Sequence, residues 1–193
     1  AKEWRYHANL PIIQFYKVTT DNDQPFYNIY GGTQDNNSMG GPSGTLNATG
    51  ILNSDWFITN GGDGFESATD WSNPNITYAQ AQYGWLVRYD KASGGKVPIQ
   101  PMPGENEKAY RWNWDAPLLV SRHDASTIYF AANKLFKSTN RGDDWSTISP
   151  DLSRQLDRNK LPVMGQVWTM DAVMKNKSTT IYGNIVALDE SPI

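Results

Sequence analysis

Three acids stand where chemistry could be done. Asp35 follows Gly31-Gly32-Thr33-Gln34, Asp63 follows Asn60-Gly61-Gly62, and Asp115 follows Arg111-Trp112-Asn113-Trp114. Hydrolysis of a glycosidic bond needs two carboxyl groups flanking it, about 5 Å apart when configuration is retained and about 6.5 to 9.5 Å apart when it is inverted. Asp35 and Asp63 are the candidate catalytic pair, because each lies just past a glycine-rich strand end in adjacent repeats. Gln34, Asn36, Arg88, Arg111, Trp112, Trp114 and Asp115 make up the candidate ligand-binding set: amides and guanidinium groups offer hydrogen bonds, and indole rings stack on sugars. A purely structural role competes with this one, since Asp beside glycine commonly bonds turn amides. Packing likewise competes for the tryptophans.

Other chemistries find little to work with. The chain has no Cys, which removes disulfides, thiolate metal sites and thiol nucleophiles together. Only His7 and His123 could serve a histidine triad or a zinc site, and both read as surface or turn residues. Asp21-Asn22-Asp23 lacks the spacing of a full calcium loop. Nothing calls for a metal or a cofactor. A sialidase needs an arginine cluster and a Tyr nucleophile, and Arg88, Arg111, Arg122 and Arg141 lack that setting. The sequons at Asn36, Asn47, Asn75 and Asn176 are expected by chance in so Asn-rich a chain.

Composition narrows the class further. With 193 residues, 38% of them hydrophobic and 12% aromatic, the chain can bury a core. Its net charge of -3 comes without a basic cluster, which argues against a nucleic-acid surface. Apolar runs are far shorter than the roughly 20 residues that cross a bilayer as a helix. Ala1-Lys2-Glu3-Trp4 opens no signal peptide, so the start reads as internal or processed.

The elements that must position these residues are strands. Asn and Gly cluster between aromatic and β-branched runs, and helical periodicity is confined to Asp151–Leu161, where Asp151 could cap a short turn. A repeated segment, a polar turn followed by an aliphatic and aromatic strand, is found at Asn28-Ile29-Tyr30-Gly31-Gly32, Asn75-Ile76-Thr77-Tyr78-Ala79, Thr127-Ile128-Tyr129-Phe130-Ala131 and Thr180-Ile181-Tyr182-Gly183. The tyrosines are 48, 51 and 53 residues apart. That period matches one four-stranded propeller blade. It predicts an all-β chain of about four blades, with repeats near 12–50, 51–100, 101–160 and 161–193, and the outer ones look incomplete. The 193 residues are thus expected to be a partial β-propeller, a fragment of a larger one, completed by further blades or a partner chain.

One turn carries a known signature. Ser138-Thr139-Asn140-Arg141-Gly142-Asp143-Asp144-Trp145 resembles the Asp-box, Ser/Thr-x-Asp-x-Gly-x-x-Trp, with Asn140 in place of Asp. Ser138, Asn140, Gly142 and Trp145 are its structural positions, and Asn can still bond the turn backbone. Leu86 to Gly95 is a degenerate counterpart without the Trp. Together with Tyr30-Gly31-Gly32-Thr33-Gln34-Asp35-Asn36, Asn60-Gly61-Gly62-Asp63-Gly64-Phe65, Tyr83-Gly84-Trp85-Leu86-Val87-Arg88-Tyr89 and Arg111-Trp112-Asn113-Trp114, it gives the chain a resemblance to the bacterial BNR/sortilin-like propeller proteins. Many of these are labelled glycosyl hydrolases.

The resemblance implies an exported protein, secreted, periplasmic or at the cell surface, that binds or hydrolyses glycans at a propeller face. The alternative it leaves open is a non-catalytic scaffold of sortilin type that holds a peptide or protein. An assembly role within a larger complex is a third class. No nucleic acid and no membrane span enter any of these.

Overall fold

The computed structural model describes residues 2–6, 13–169, 171–172 and 183–193. It is an all-β structure of three four-stranded antiparallel sheets, each a simple meander in chain order. Sheet 1 holds β1 (Lys17–Thr20), β2 (Asn28–Gly32), β3 (Ser38–Pro42) and β4 (Phe57–Asn60). Sheet 2 holds β5 (Gly64–Thr69), β6 (Ile76–Ala81), β7 (Trp85–Asp90) and β8 (Gly95–Pro98). Sheet 3 holds β9 (Leu118–Val120), β10 (Ile128–Ala131), β11 (Leu135–Ser138) and β12 (Ser146–Thr147). Sheet 1 runs on to Asn60, past residue 50, because a long turn-rich segment separates β3 from the β4 strand that pairs with it. The helical turn expected at Asp151–Leu161 is reduced to a 3-10 turn at Arg158–Lys160. Thr180, Ile181 and Tyr182 lie outside the described residues.

The sheets stack face to face, so their middle strands are apolar on both sides. β6 is buried along nearly its whole length, between sheets 1 and 3. Sheets 2 and 3 close on a core of Tyr78, Leu86, Ile99, Trp112, Leu118, Ile128, Phe130 and Phe136, in which Trp112 stacks 4.7 Å from Phe130. Sheets 1 and 2 meet through Tyr30, Phe57 and Tyr89, the last two stacked at 5.6 Å. Their backbones touch at Gly32: a Cβ there would lie 2.1 Å from the Gly64 carbonyl carbon.

The first strands β1, β5 and β9 pack one beside the next. The turn that follows each closes the same way, with Asp21, Asp70 and Ser121 amides donating to the carbonyls of Asn28, Ile76 and Thr127. In that shared register Tyr30 and Tyr78 are fully buried, whereas Tyr129 is half-buried. An ion pair from the following sheet clamps the turn in two of the three cases. Lys91, in the β7–β8 turn, reaches Asp21 at 3.2 Å, and Arg141, in the β11–β12 turn, reaches Asp70 at 2.8 Å. Both carboxyls are fully buried, so each clamp neutralises a charge that burial would otherwise make costly.

The Asp-box-like turn is built as its sequence suggests. Ser138 Oγ accepts the Gly142 amide at 2.8 Å, and Asn140 Oδ1 accepts the Asp144 amide at 2.9 Å. Trp145 donates its indole N–H to the Ile99 carbonyl, tying the turn to the end of sheet 2. Gly142 has φ +90°, and a Cβ on it would meet Ile99 at 2.6 Å.

Candidate functional site

In each meander the hairpin between the second and third strands opens at the edge opposite the clamped turns. This edge also receives the connections that lead into β5 and β9. Asp35 sits in the β2–β3 hairpin, Tyr83 in the β6–β7 hairpin, Asp63 in the connection before β5, and Trp114 and Asp115 in the connection before β9. Asp35 has φ 60° and Asn37 has φ 70°, a left-handed backbone that Asp and Asn tolerate better than other side chains. The tight hairpin therefore presents a carboxyl at its tip.

The candidate catalytic acids are neighbours. The Asp35 amide donates to Asp63 Oδ1 at 2.6 Å. A hydrogen bond between the two side chains, followed by the repulsion of the Asp63 charge, raises the Asp35 pKa above the usual Asp value. Asp63 is oriented in turn by its own amide, which donates to Gln82 Oε1 at 3.0 Å.

Two depressions flank the pair through its chain neighbours, and neither acid lines them. One, of about 290 Å³, is lined by Ile13, Gln14, Tyr16, Thr33, Gln34 and Asn36. Tyr16 donates its hydroxyl to Gln34 Oε1 across it. The other, of about 570 Å³, runs past Asn60, Gly61, Gly62 and Gln82 to Tyr83, Trp85 and Gln100. Tyr83 and Trp85 are 50% and 59% exposed, so their ring faces are available to a ligand. A line of aromatic contacts, Tyr16 on Phe65, Phe65 on Trp114 and Trp114 on Tyr83, runs between the two depressions.

Toward the first strands, Lys17 bridges Glu66 at 3.3 Å and Asp115 at 3.2 Å. Burial works against the Lys17 charge, but the two carboxylates outweigh it and raise its pKa. Asp115 also accepts the Gln80 amide at 3.3 Å.

Of the expected ligand set, the structure keeps Gln34, Asn36, Trp114 and Asp115 at the hairpin edge, Gln34 and Asn36 beside Asp35, and directs the remainder into packing and ion pairs. Arg88 donates to the Arg141 carbonyl at 2.8 Å and pairs with Asp143, binding sheet 2 to the Asp-box-like turn. Arg111 holds Asp151 and Ser153, each at 2.8 Å, and reaches the Gly183 carbonyl. Burial disfavours the Asp151 charge, yet hydrogen bonds from Ser153 and Arg111 dominate and hold it well below the usual carboxylate range. Trp112 is 7% exposed and belongs to the core, whereas Trp114 is 40% exposed on the face. Residues two apart on an extended chain would share a side, but a turn begins at Trp114 and breaks that geometry.

The reading of the sequence passed over Tyr16, Gln82, Tyr83 and Trp85. A signal existed for Tyr83: Tyr83-Gly84 forms the hairpin, with φ 63° and 77°, and a non-glycine residue held there is worth a functional look. Among the described residues, no group of three or more His, Cys, Asp or Glu is arranged to hold a metal ion. No helix among them is long and apolar enough to cross a membrane.

No family model and no curated protein matches the chain. Among solved structures it is similar to the extracellular domain of a hybrid two-component system from B. thetaiotaomicron, with 16% identity and a TM-score of 0.45 over 82% of this chain. The chain spans 22% of that protein's length.

Proposed function

We propose that the three sheets are consecutive blades of a β-propeller and that their hairpin edge forms a glycan-binding face. Support for the blades comes from the first strands packed side by side, the shared turn hydrogen bonds and the two ion-pair clamps between neighbours. Support for further blades comes from residues 183–193. The Ile185 amide donates to the Ala132 carbonyl, just as the Gly64 amide at the start of β5 donates to Thr33. Glu190 then accepts the Ser121 hydroxyl at 2.8 Å and the Arg122 amide at 2.9 Å. Ile185 to Glu190 thus lie against sheet 3 as β5 lies against sheet 1, in the place of a fourth blade's first strand. Among the described residues, the half-buried Tyr129 has less cover than sheets 2 and 3 give to Tyr30 and Tyr78, and further blades or a partner chain would add to it.

One observation carries the glycan reading: the Asp35–Asp63 pair stands between an amide-rich depression and one floored by exposed aromatic rings. Sugars combine hydroxyl edges that bond amides with C–H faces that stack on Tyr and Trp. Binding fits the geometry better than hydrolysis, because Asp63 is engaged by the Asp35 turn amide, and Glu66 and Asp115 are tied to Lys17. The resemblance to exported proteins supports a location of this face outside the cell or in the periplasm.

A glycan array followed by calorimetric titration tests the reading, with Trp85→Ala and Asp63→Asn as controls. Binding lost in Trp85→Ala supports it. Turnover by the parent chain would restore the hydrolase reading. A silent array together with capture of peptides would establish the non-catalytic scaffold instead.

A further inference from the structure

Both depressions of the hairpin edge are uncharged. No described residue lining either one is an acid or a base, although 19% of the chain is charged. Their polar side chains are mostly carboxamides, with Gln34 and Asn36 in the smaller and Gln82 and Gln100 in the larger. A lining without charge gains nothing from a charge on the ligand. Bringing a charged ligand into contact with it still strips water from that charge, which costs affinity when no opposite charge replaces the water.

Each of these carboxamides is anchored at one end and open at the other. Gln82 Oε1 accepts the Asp63 amide at 3.0 Å, and glycine at position 62 keeps its place clear, since a Cβ there would come within 2.9 Å of that oxygen. Gln100 Nε2 donates to the Tyr83 carbonyl at 3.1 Å. A backbone N–H only donates and a backbone carbonyl only accepts, so both amide orientations are fixed. Gln82 Nε2 and Gln100 Oε1 are left without a partner among the described residues. The groove thus offers one donor and one acceptor beside the exposed rings of Tyr83 and Trp85. The smaller depression repeats the arrangement. Gln34 Oε1 is held by the Tyr16 hydroxyl and Asn36 Nδ2 by the Gln34 carbonyl, which leaves Gln34 Nε2 to donate and Asn36 Oδ1 to accept.

Resting on the glycan reading above, we propose that the groove at Tyr83 and Trp85 selects uncharged glycans, with sugar hydroxyls bonded to Gln82 Nε2 and Gln100 Oε1 and the sugar face on the two rings. A hydroxyl both donates and accepts, so hydroxyls satisfy the donor and the acceptor alike. A carboxylate only accepts and an ammonium only donates. Either one leaves an amide group of the groove facing its own kind, in addition to losing its hydration.

The test is titration calorimetry on the whole chain with tetrasaccharides of glucose, glucosamine and glucuronic acid. The glucose oligomer should bind about tenfold more tightly than either charged one, as expected when one polar group is left unpaired. Its affinity should stay within about twofold between roughly 0.02 and 0.5 M salt, because no charge is screened. Gln82→Glu keeps an acceptor for the Asp63 amide and replaces only the ligand-facing NH2 with a charged oxygen. It should weaken the glucose oligomer about tenfold and bring the glucosamine oligomer ahead of it. Should that variant fail to fold, the ranking and the salt series on the parent chain carry the test. A charged oligomer that binds the parent as tightly as the glucose one, or a steep loss of glucose-oligomer affinity with salt, overturns the selectivity and leaves the glycan reading intact. An unchanged ranking in folded Gln82→Glu overturns the role given to Gln82. Absence of binding by every saccharide overturns both the selectivity and the glycan reading.

Discussion

The two edges of the sheets use the same residue types for opposite ends. At the clamped edge Asp70 is fully buried and held by Arg141, and at the hairpin edge Asp35 is exposed and held by another acid. Trp112 lies in the core, and Trp114, two positions on, lies on the face. What separates the pairs is partnership. A buried carboxyl given a cation and turn amides stabilises the fold, while a carboxyl given a second carboxyl holds a group that can still exchange a proton or meet a ligand. The clamped edge is thus expected to govern stability, and the hairpin edge binding.

The largest effect should come from the core. Trp112→Ala removes a ring stacked on Phe130 and Phe136 and packed over Gly84, and should cost about 3–5 kcal/mol, visible as a lower denaturation midpoint. Trp114→Ala should leave the midpoint within about 1 kcal/mol and weaken ligand binding. Equal destabilisation by both would break the distinction between the edges. Next comes the clamp. Arg141→Ala strands the buried Asp70 carboxylate and should cost about 2 kcal/mol, less than a fully buried pair because Arg141 is 38% exposed. Asp70 would still accept the Ser72 and Asn73 amides, which limits the loss.

These contrasts show how far the sequence could be read. The β-class, the period near 50 and the Asp-box-like turn were legible, because glycine, asparagine and aromatic residues recur at positions that the backbone demands. Asp35 and Asp63 could be singled out by their glycines. Arg88, Arg111 and Trp112 could not be told from ligand residues, since an arginine that clamps a neighbouring sheet and one that binds a substrate look alike until their partners are known. The groove at Tyr83 and Trp85 was illegible for a related reason. Two rings spaced i, i+2 usually share one strand face, and only the left-handed kink at Tyr83 and Gly84 puts both into solvent.

Acid and base should separate Asp35 from the carboxyls held by donors, which lie at the clamped edge (Asp21, Asp124) and, through Lys134, at the hairpin edge (Glu107). Asp21, Asp124 and Glu107 have depressed pKa values, Glu107 falling to about 2 through its bonds from Lys134, Tyr110 and the Gly104 amide. Groups of this kind contribute stability that is present above their unfolded pKa and lost as pH falls through the folded value. Asp35 has the opposite sign. Its raised pKa gives stability that is present below the unfolded value and lost as pH rises through the folded one. Denaturation midpoints measured between about pH 2 and 7 should therefore fall on the acid side, through the depressed carboxyls. Asp35→Asn should alter only the limb just above the ordinary Asp pKa. A variant whose profile is displaced uniformly would show that Asp35 acts through packing and not through its proton.

The smallest effect tests the Asp-box-like turn, where Asn140 stands in the position usually held by Asp. Asn140 Oδ1 accepts the Asp144 amide, as an aspartate oxygen would, but Asn140 Nδ2 also donates to Asp144 Oδ2 at 3.0 Å. Asn140→Asp would keep the first bond and set two carboxylates against each other in place of the second. Both groups are exposed, so the penalty should be a few tenths of a kcal/mol, fading with added salt. Asn140→Asp combined with Asp144→Ser should recover it, because the repulsive partner is gone. If Asn140→Asp instead stabilised the chain at low salt, the Asp144 contact would be inconsequential and the Asn would have no structural explanation. Restoration by the double variant would tie the departure from the usual motif to one neighbouring charge, at the edge where charges are placed to hold sheets together.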